Sequence, residues 1–165
     1  MNVTVIPAEE RHIPGYHAAL DAVARERRWL CFLEAPPIEK SAAFVRELLG
    51  GAGVQIVAVT EAGTVVGWCD IARGGRESIR HTGHLGMGLL KDYRGQGLGR
   101  KLMEAAISAA KTQGMERVEL EVFASNSPAI TLYRKLGFRE EGRKLKARKI
   151  DGAYDDIVVM ALFLA

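Results

Sequence analysis

A glycine-punctuated turn, Arg94-Gly95-Gln96-Gly97-Leu98-Gly99-Arg100, has the composition of a phosphate-binding loop. Three glycines at alternate positions remove Cβ atoms from the turn, so backbone amides can approach a ligand closely. The apolar spacing that follows predicts a helix over 98–113. A helix start offers unpaired amides and the positive end of its dipole, which together favour a bound phosphate group.

The spacing of these glycines separates the turn from two better-known phosphate loops. A dinucleotide-binding fingerprint requires G-x-G-x-x-G and a P-loop requires G-x-x-x-x-G-K-[ST], and the turn has neither pattern. A tight turn without a ligand is the alternative interpretation, although three glycines would weaken the helix start with no gain in packing. Arg94 and Arg100 flank the turn, either as anion ligands or as solvated side chains.

A second segment, Asn126 to Phe138, has a proline in the first turn of a predicted helix and an apolar face at helical spacing. Taken alone, it is a capped helix. Taken with the glycine loop, it closely resembles the GNAT superfamily of N-acetyltransferases. The family pattern Arg/Gln-x-x-Gly-x-Gly/Ala matches Arg94, Gly97 and Gly99, and the pattern Asn-x-x-Ala-x-x-Leu-Tyr-x-x-Leu-Gly-Phe is matched at every fixed position.

The resemblance implies that acetyl-CoA is the acyl donor. In the family the pyrophosphate lies on the amides of the glycine loop, and the pantetheine arm pairs like an extra strand with the strand before it. The Asn of the second pattern usually bonds to that arm. The implied cofactor-binding residues are Leu89, Leu90, Arg94, Gly95, Gln96, Gly97, Leu98, Gly99, Arg100 and Asn126.

The implied reaction is direct attack of a neutral amine on the thioester, without a covalent enzyme intermediate. A backbone amide at Leu89 or Leu90 is expected to stabilise the oxyanion. The usual proton donor to the CoA thiolate in the family is the tyrosine that matches Tyr133. A phenol with a pKa near ~10 stays protonated at neutral pH and can donate. A core aromatic with a satisfied hydroxyl is the alternative for Tyr133.

Glu121 is the first candidate for the base that deprotonates the amine. Strand alternation places it on the face opposite its two apolar neighbours. In the related ribosomal-protein alanine acetyltransferases, a Glu twelve residues before the Tyr is the proposed base, and Glu121 has that spacing from Tyr133. A solvated or ion-paired strand glutamate is an equal alternative. Further candidates for the base are Glu34, Asp70 and His84.

The acceptor pocket of this fold family is built from the loop between the first two helices, the central strands and the C-terminal hairpin. Glu34 and Asp70 lie in two of those segments and are the predicted substrate-binding residues, because a carboxylate attracts a cationic amine. A small-molecule amine or an amino acid is the favoured acceptor. The alternatives are a protein N-terminal or lysine acetyltransferase, which would need an open groove, and a non-catalytic acyl-CoA-binding domain.

The elements that must position these residues follow from the hydrophobic periodicity: strand, two helices, three strands, helix, strand, helix, two strands. This order predicts a mixed α/β (α+β) fold with one parallel crossover unit between His84 and Phe123. The resemblance implies a mostly antiparallel central sheet, a splayed parallel pair at the cofactor site and about four flanking helices. The first helix is expected over residues 8 to about 29, and Pro14-Gly15 is expected to interrupt or restart it. Gly86 and Gly88 suggest a bulge or the close approach of a ligand.

Length and composition limit the class of protein. The 165 residues fit a single domain over 1–165, and a net charge of +3 gives no argument for a nucleic-acid partner. Cys31 and Cys69 form no disulfide framework, and no apolar run approaches the ~20 residues of a membrane span. The expectation is a cytoplasmic protein with no membrane partner and no metal site. A homodimer is a further expectation, since dimers are common in this fold.

Overall fold

The computed structural model describes residues 2–164. The strands are β1 (Val3–Pro7), β2 (Gly53–Thr60), β3 (Val65–Arg73), β4 (Thr82–Leu89), β5 (Arg117–Phe123), β6 (Arg139–Ile150) and β7 (Ala153–Phe163). The α-helices are α1 (Ile13–Arg25), α2 (Ile38–Glu47), α3 (Leu98–Thr112) and α4 (Ser127–Lys135). The predicted order of elements is confirmed. No helix within the described range is long and apolar enough to cross a membrane.

The strands form one sheet in the order β1-β2-β3-β4-β5-β7-β6. Strands β4 and β5 run parallel, and the other neighbouring pairs are antiparallel. A parallel pair needs a long crossover connection, which α3 supplies here. The predicted mixed, mostly antiparallel sheet with one parallel pair and four helices is therefore confirmed for residues 2–164.

Helices cover both faces of the sheet and divide the core into two halves. Helices α1 and α2 enclose one half, which includes Val45 and Trp68. Helices α3 and α4 cover the other half, which includes Leu102 and Cys69. Because successive side chains of a strand point to opposite faces, Trp68 and Asp70 of β3 lie on the α1 face.

Helix α1 differs from its prediction at both ends. A single turn of 3-10 helix, Glu10–His12, precedes it, and the α-helix starts anew at Ile13 with Pro14 in its first turn, which is the restart that the sequence allowed. A proline fits there because the missing N–H would have no partner in the helix. The helix ends at Arg25 instead of near Trp29, and Arg27 takes a left-handed conformation with φ +57°.

Candidate active site

Strands β4 and β5 pair over only three residue pairs, the last of which is His84 with Glu119. Beyond that point the two strands diverge. Strand β4 remains paired with β3 as far as Leu89, and β5 remains paired with β7 as far as Phe123. The divergence opens a cleft of about 1200 Å³ in the middle of the sheet. This cleft is the candidate active site.

Most of the predicted site residues line this one cleft. Those lining it are Asp70, Leu89, Arg94, Gly95, Gly97, Gly99, Arg100, Glu121, Asn126 and Tyr133. Leu90, Gln96 and Leu98 are neighbours of lining residues in the chain but do not line the cleft, and Glu34 lies outside it. The Glu34 side chain is 72% exposed and pairs with Arg25 at 3.4 Å.

The glycine loop adopts a backbone conformation that glycine accepts readily. Gly95 and Gly97 have φ of +74° and +82°, a region that other residues enter at a cost of roughly 1–2 kcal/mol. Gly97 is the N-cap of α3, and no side chain caps the amides of the first turn. Apart from the glycine and its two chain neighbours, no atom of residues 2–164 lies within 4 Å of the position that a Cβ would take at either glycine. Uncapped amides next to open space fit an anionic ligand.

Other residues of the loop maintain its shape. Gln96 donates from Nε2 to the carbonyl of Asp92 at 3.1 Å, and Leu98 is buried in the first turn of α3. A Cβ at Gly99 would lie 3.3 Å from Leu132. Gly99 therefore allows α3 to pack closely against α4, which is a packing role.

Arg94 is held by protein groups at both ends of its guanidinium. Its Nε donates to the carbonyl oxygen of Leu89 at 3.0 Å, and its Nη2 pairs with Glu26 at 2.7 Å. The two charged side chains are 30% and 27% exposed. Arg94 thus ties the glycine loop to the end of β4 and to the residue that follows α1. Arg100 pairs with Glu104 at 2.8 Å, one turn further along α3.

The backbone amides of Leu89 and Leu90, which were predicted to stabilise the oxyanion, have different environments. The amide of Leu90 donates to the carbonyl of Val66 at 2.9 Å, so it is already paired with β3. In an antiparallel pair, adjacent residues direct their peptide groups to opposite sides. Leu89 consequently directs its amide toward β5, where pairing ended at His84. The amide of Leu89 is therefore the one that faces the cleft.

Tyr133 projects from α4 into the buried side of the cleft. The residue is 7% exposed, and its ring lies 5.9 Å from that of Phe138 in a tilted arrangement. Burial, and to a smaller extent the nearby Cys69 thiol, raises the pKa of Tyr133 well above its usual range. The phenol is therefore protonated at neutral pH and can donate a proton into the cleft.

Asn126 occupies the N-cap position of α4. Its Oδ1 accepts a hydrogen bond from the amide of Ala129 at 3.3 Å, which caps the helix. Its Nδ2 has no hydrogen-bond partner within residues 2–164. The side chain can therefore cap the helix and donate to a ligand in the cleft at the same time.

Glu121 lines the cleft from β5 but is paired with a cation. Its Oε1 accepts from Nζ of Lys144 at 2.6 Å, and its side chain is 39% exposed. The ion-paired strand glutamate was the alternative that the sequence left open. An amine that enters the cleft would therefore have to share Glu121 with Lys144.

Asp70 is a buried carboxylate on the α1 face of the cleft. The residue is 6% exposed. Burial raises the pKa of Asp70 to about 7, and the neighbouring Gln55 amide opposes part of that rise. A Cβ at Gly86, its partner on β4, would lie 3.2 Å from Oδ1 of Asp70. The absence of a side chain at Gly86 leaves the carboxylate open to the cleft.

Of the two alternatives predicted for Gly86 and Gly88, the bulge is wrong, and the close approach of a ligand stays a prediction. The pairing of β3 with β4 runs from Gly67 with Leu89 to the far end of β3 without a shift in register. The two glycines instead make room for side chains of β3. The indole of Trp68 occupies the space over Gly88, so a Cβ there would overlap the ring.

Sequence reasoning missed the aromatic residues of the cleft. Tyr16 of α1 packs edge-to-face on Trp68 with the ring centroids 5.6 Å apart. Trp29, Phe44 and Phe123 also line the cleft. The sequence offered one signal for this pocket. Trp68 and Asp70 alternate on β3, and glycines alternate on β4, so large side chains of β3 could be predicted to fill the space that the glycines leave on one face of the sheet.

The segment after α1 contacts the turn between β6 and β7. Arg27 pairs with Asp151 at 2.9 Å, and Nη2 of Arg148 donates to the carbonyl of Arg27 at 3.1 Å. The guanidinium of Arg148 also lies 3.9 Å from the centre of the Phe123 ring. These contacts join the segment after α1 to the hairpin of β6 and β7 and to Phe123, which lines the cleft.

The family model described as the acetyltransferase (GNAT) family matches residues 22–138. The chain therefore belongs to the GNAT family of acetyltransferases. The architecture, with its diverging parallel pair and glycine loop before α3, agrees with this membership.

Curated relatives carry several acetyltransferase names. The [ribosomal protein bS18]-alanine N-acetyltransferase of Escherichia coli is 41% identical over 71 residues, 43% of this chain and 48% of that protein. The N-alpha-acetyltransferase RimI of Mycobacterium tuberculosis is 35% identical over 116 residues, 68% of each chain. The L-methionine sulfoximine/L-methionine sulfone acetyltransferase of Pseudomonas paraeruginosa is 30% identical over 114 residues, 66% of this chain and 64% of that protein. The match spans about half the length of the Escherichia coli relative.

Solved structures share the whole fold. An acetyltransferase of the GNAT family from Streptococcus pneumoniae has a TM-score of 0.91 and 26% identity, over 99% of this chain and 100% of that one. The Salmonella typhimurium protein yncA, solved with its cofactor acetyl-CoA, has a TM-score of 0.91 and 19% identity, over 100% and 95%. At that identity the second likeness shows the fold alone.

Proposed function

We propose that this protein is an acetyl-CoA-dependent N-acetyltransferase in which a primary amine attacks the thioester directly. The observation that carries the proposal is the divergence of β4 from β5. It opens onto a single cleft that contains the uncapped glycine loop, the amide of Leu89 and the buried phenol of Tyr133. These are the three groups that such a reaction needs: an anion site, an oxyanion donor and a proton donor.

The residues of the cleft fit CoA. The amides from Gly95 to Arg100 would hold the pyrophosphate at the start of α3, where neither a side-chain cap nor an acidic residue competes. The free edge of β4 would pair with the pantetheine arm, and Nδ2 of Asn126 would donate to it. When bound, acetyl-CoA supplies an activated acyl group.

The protein groups act at two places on the reacting bond. The amide of Leu89 stabilises negative charge on the carbonyl oxygen, since a fixed donor in a dry site needs no reorganisation. Tyr133 donates its proton to the departing sulfur. Two carboxylates of the cleft are candidates for the base: Glu121, favoured by its spacing from Tyr133, and Asp70, favoured by its burial.

A small-molecule amine or an amino acid is the proposed acceptor. Asp70 offers a negative charge to a cationic amine, and Tyr16 and Trp68 offer apolar walls. The relative named for L-methionine sulfoximine and L-methionine sulfone is consistent with an acceptor of this size.

A protein N-terminus is the second candidate acceptor. It is favoured by the relatives named as ribosomal-protein alanine and N-alpha-acetyltransferases. The cleft also has an exposed apolar margin, because Phe32 lines it and is 51% exposed while the adjacent Leu33 is 38% exposed. A peptide could contact that margin without entering between α1 and the hairpin.

The test is release of the CoA thiol from acetyl-CoA, measured over a panel of amines, amino acids and Ala-initiated peptides. Acceleration by a small amine and not by peptides would support the first acceptor class, and the reverse would support the second. No acceleration by any acceptor, together with tight CoA binding, would instead identify a non-catalytic acyl-CoA-binding domain.

Three further expectations stay proposals. The chain over 1–165 is proposed to act as one domain, to reside in the cytoplasm and to form a homodimer. The cytoplasmic location is supported by two free cysteines, an exposed Cys31 and a buried Cys69. Mass measurement in solution tests the dimer, and imaging of a tagged chain tests the location.

A further inference from the structure

Asp70 is the carboxylate of the cleft that no cation neutralises. It lies on β3 with 6% of its surface exposed, and it forms no salt bridge within residues 2–164. On the basis of the proposed function, we infer that Asp70, and not Glu121, is the catalytic base that takes a proton from the acceptor amine. The inference depends on where Asp70 lies and on which groups surround it.

The position of Asp70 gives it access to a ligand. It lines the cleft on the same face of the sheet as Trp68. The partner residue on β4 is Gly86, and a Cβ at that position would lie 3.2 Å from Oδ1 of Asp70. An amine lying over Gly86 would therefore reach the carboxylate and the free edge of β4 from the same place.

The groups packed around Asp70 supply no positive charge. Tyr16 faces it from α1, and its own pKa is raised by burial and by the Asp70 charge. Gln55 faces Asp70 from β2. The side-chain atoms Oε1 and Nε2 of Gln55 are buried, and neither forms a hydrogen bond of normal geometry within residues 2–164. Cys69, the nearest thiol, lies on the opposite face of β3.

Besides Asp70 and Tyr16, seven charged or titratable side chains line the same cleft: Cys31, Lys40, His84, Arg94, Arg100, Glu121 and Tyr133. Arg94 is paired with Glu26 and Arg100 with Glu104. Lys40 comes from α2 and is exposed, His84 comes from β4 and is exposed, and Glu121 comes from β5. Glu121 is already bound to Lys144. A carboxylate that is buried without a partner is costly, and a cationic ammonium is the ligand that would neutralise it.

Burial raises the pKa of Asp70 to about 7. A general base works best when its pKa is near the operating pH, because it is then both ionised and basic enough to accept a proton. Buried carboxylates with shifted pKa values are concentrated at functional sites for this reason. The titration of Asp70 thus agrees with its geometry.

The proposed step balances in atoms and charge. The carboxylate of Asp70 takes one proton from the acceptor ammonium, and the nitrogen lone pair forms a C–N bond to the acetyl carbon. The C–S bond breaks, and Tyr133 gives its proton to the sulfur. The remaining extra proton on nitrogen passes to the Tyr133 oxygen, and the proton on Asp70 goes to solvent. The products are an amide, a free thiol and one proton.

The test is the pH profile of kcat/KM for the best acceptor, from about pH 5.5 to about pH 9.5. Wild type is expected to lose about tenfold in kcat/KM per pH unit below about pH 7. Asp70→Asn is expected to lose about 100-fold or more at pH 7, with the midpoint of its acidic limb moved from about pH 7 up to the pKa of the acceptor amine. The loss of kcat/KM in Asp70→Asn should be smaller at the alkaline end of the pH range, because the acceptor there is already a neutral amine. Affinity for CoA should stay within about twofold, because Asp70 lies on the acceptor side.

Two matched variants show which side chain causes the acidic limb of the pH profile. Glu121→Gln and His84→Asn remove the competing titratable groups of the cleft, and both are expected to retain the acidic limb. If the midpoint near pH 7 is lost in either of them and is kept in Asp70→Asn, Asp70 is not the base. A rise in KM alone, with an unchanged limb, would make Asp70 a binding residue and would also overturn the inference.

The outcome for wild type separates this inference from the function on which it rests. Absence of turnover by wild type with every acceptor would remove the acetyltransferase proposal and the role of Asp70 with it. Turnover by wild type with an unaffected Asp70→Asn variant would remove only the role of Asp70.

Discussion

The Nε of Arg94 donates to the carbonyl oxygen of Leu89 at 3.0 Å, and this bond joins the glycine loop to the strand that opens the cleft. The carbonyl of Leu89 lies on the side of β4 that has no neighbouring strand. Arg94 therefore satisfies a polar group that the divergence would otherwise leave unpaired, and Glu26 holds the other end of its guanidinium. The first arginine of the family pattern thus positions the loop in this protein.

Replacing Arg94 by lysine should weaken the binding of acetyl-CoA. A lysine cannot donate to Leu89 and Glu26 in the same fixed geometry. We expect the KM for acetyl-CoA to rise about 3- to 30-fold with little change in kcat, the range expected for charged hydrogen bonds that are partly exposed. Steady-state kinetics at varied acetyl-CoA measure this. Arg46→Lys, in the surface pair with Glu10, is the control and should leave KM unchanged, and an equal effect of both changes would contradict the prediction.

Replacing Gly97 by alanine should affect stability and cofactor affinity together. The residue has φ +82°, so alanine should cost roughly 1–2 kcal/mol in the free energy of unfolding. Its methyl group would also project into the space left for the ligand. Gly63 has φ +86° in the turn between β2 and β3, with the same open surroundings. Gly63→Ala should lose similar stability in urea denaturation but retain CoA affinity by calorimetry, where Gly97→Ala should lose at least about tenfold.

Removal of the Tyr133 hydroxyl should abolish most turnover without disturbing binding. Loss of a positioned proton donor typically costs about 100- to 10,000-fold in rate. We expect Tyr133→Phe to bind CoA as wild type does and to keep its melting temperature, since the ring still packs on Phe138. Tyr154→Phe, at a tyrosine that is 56% exposed on the hairpin, is the matched control. Full activity in Tyr133→Phe would exclude this tyrosine from the reaction.

The stability of the protein should depend on pH through Asp70. Its pKa rises from 3.8 to about 7 on folding, so between these values the folded state binds a proton that the unfolded state has released. Stability is therefore lost as pH rises from about 4 to about 7, and the whole cost is present above pH 7. At about 1.4 kcal/mol per pKa unit, Asp70→Asn should be more stable than wild type by up to about 4 kcal/mol at pH 8. The two proteins should unfold alike near pH 4, and a gap of equal size at both pH values would contradict this assignment.

The parts of the site that depend on local sequence were predictable. The left-handed glycines, the helix start at Leu98 and the Asn126 cap each depend on residues within a few positions of one another. The periodicity of single segments also identified the strands and helices. Such features need no knowledge of what lies across the sheet.

The parts that depend on distant residues were not predictable. The partner of Arg94 is Glu26, 68 positions earlier, and the pairing of Glu121 with Lys144 joins two strands through β7. Burial of Asp70 requires the packing of α1 on β3, which a single sequence does not specify. The first helix was overextended for a related reason, because the turn at Arg27 is stabilised by Asp151, 124 positions later.

The divergence of β4 from β5 leaves two strand edges in the interior of the sheet. Exposed edges commonly recruit strands from other chains and start aggregation. Here the two edges face each other across a cleft whose walls come from α1, α4 and the glycine loop. A flat second sheet cannot enter such a space, whereas a single narrow extended chain can. The opening that is proposed to admit the arm of one ligand would therefore exclude the intermolecular strand pairing that unpaired backbone groups otherwise invite.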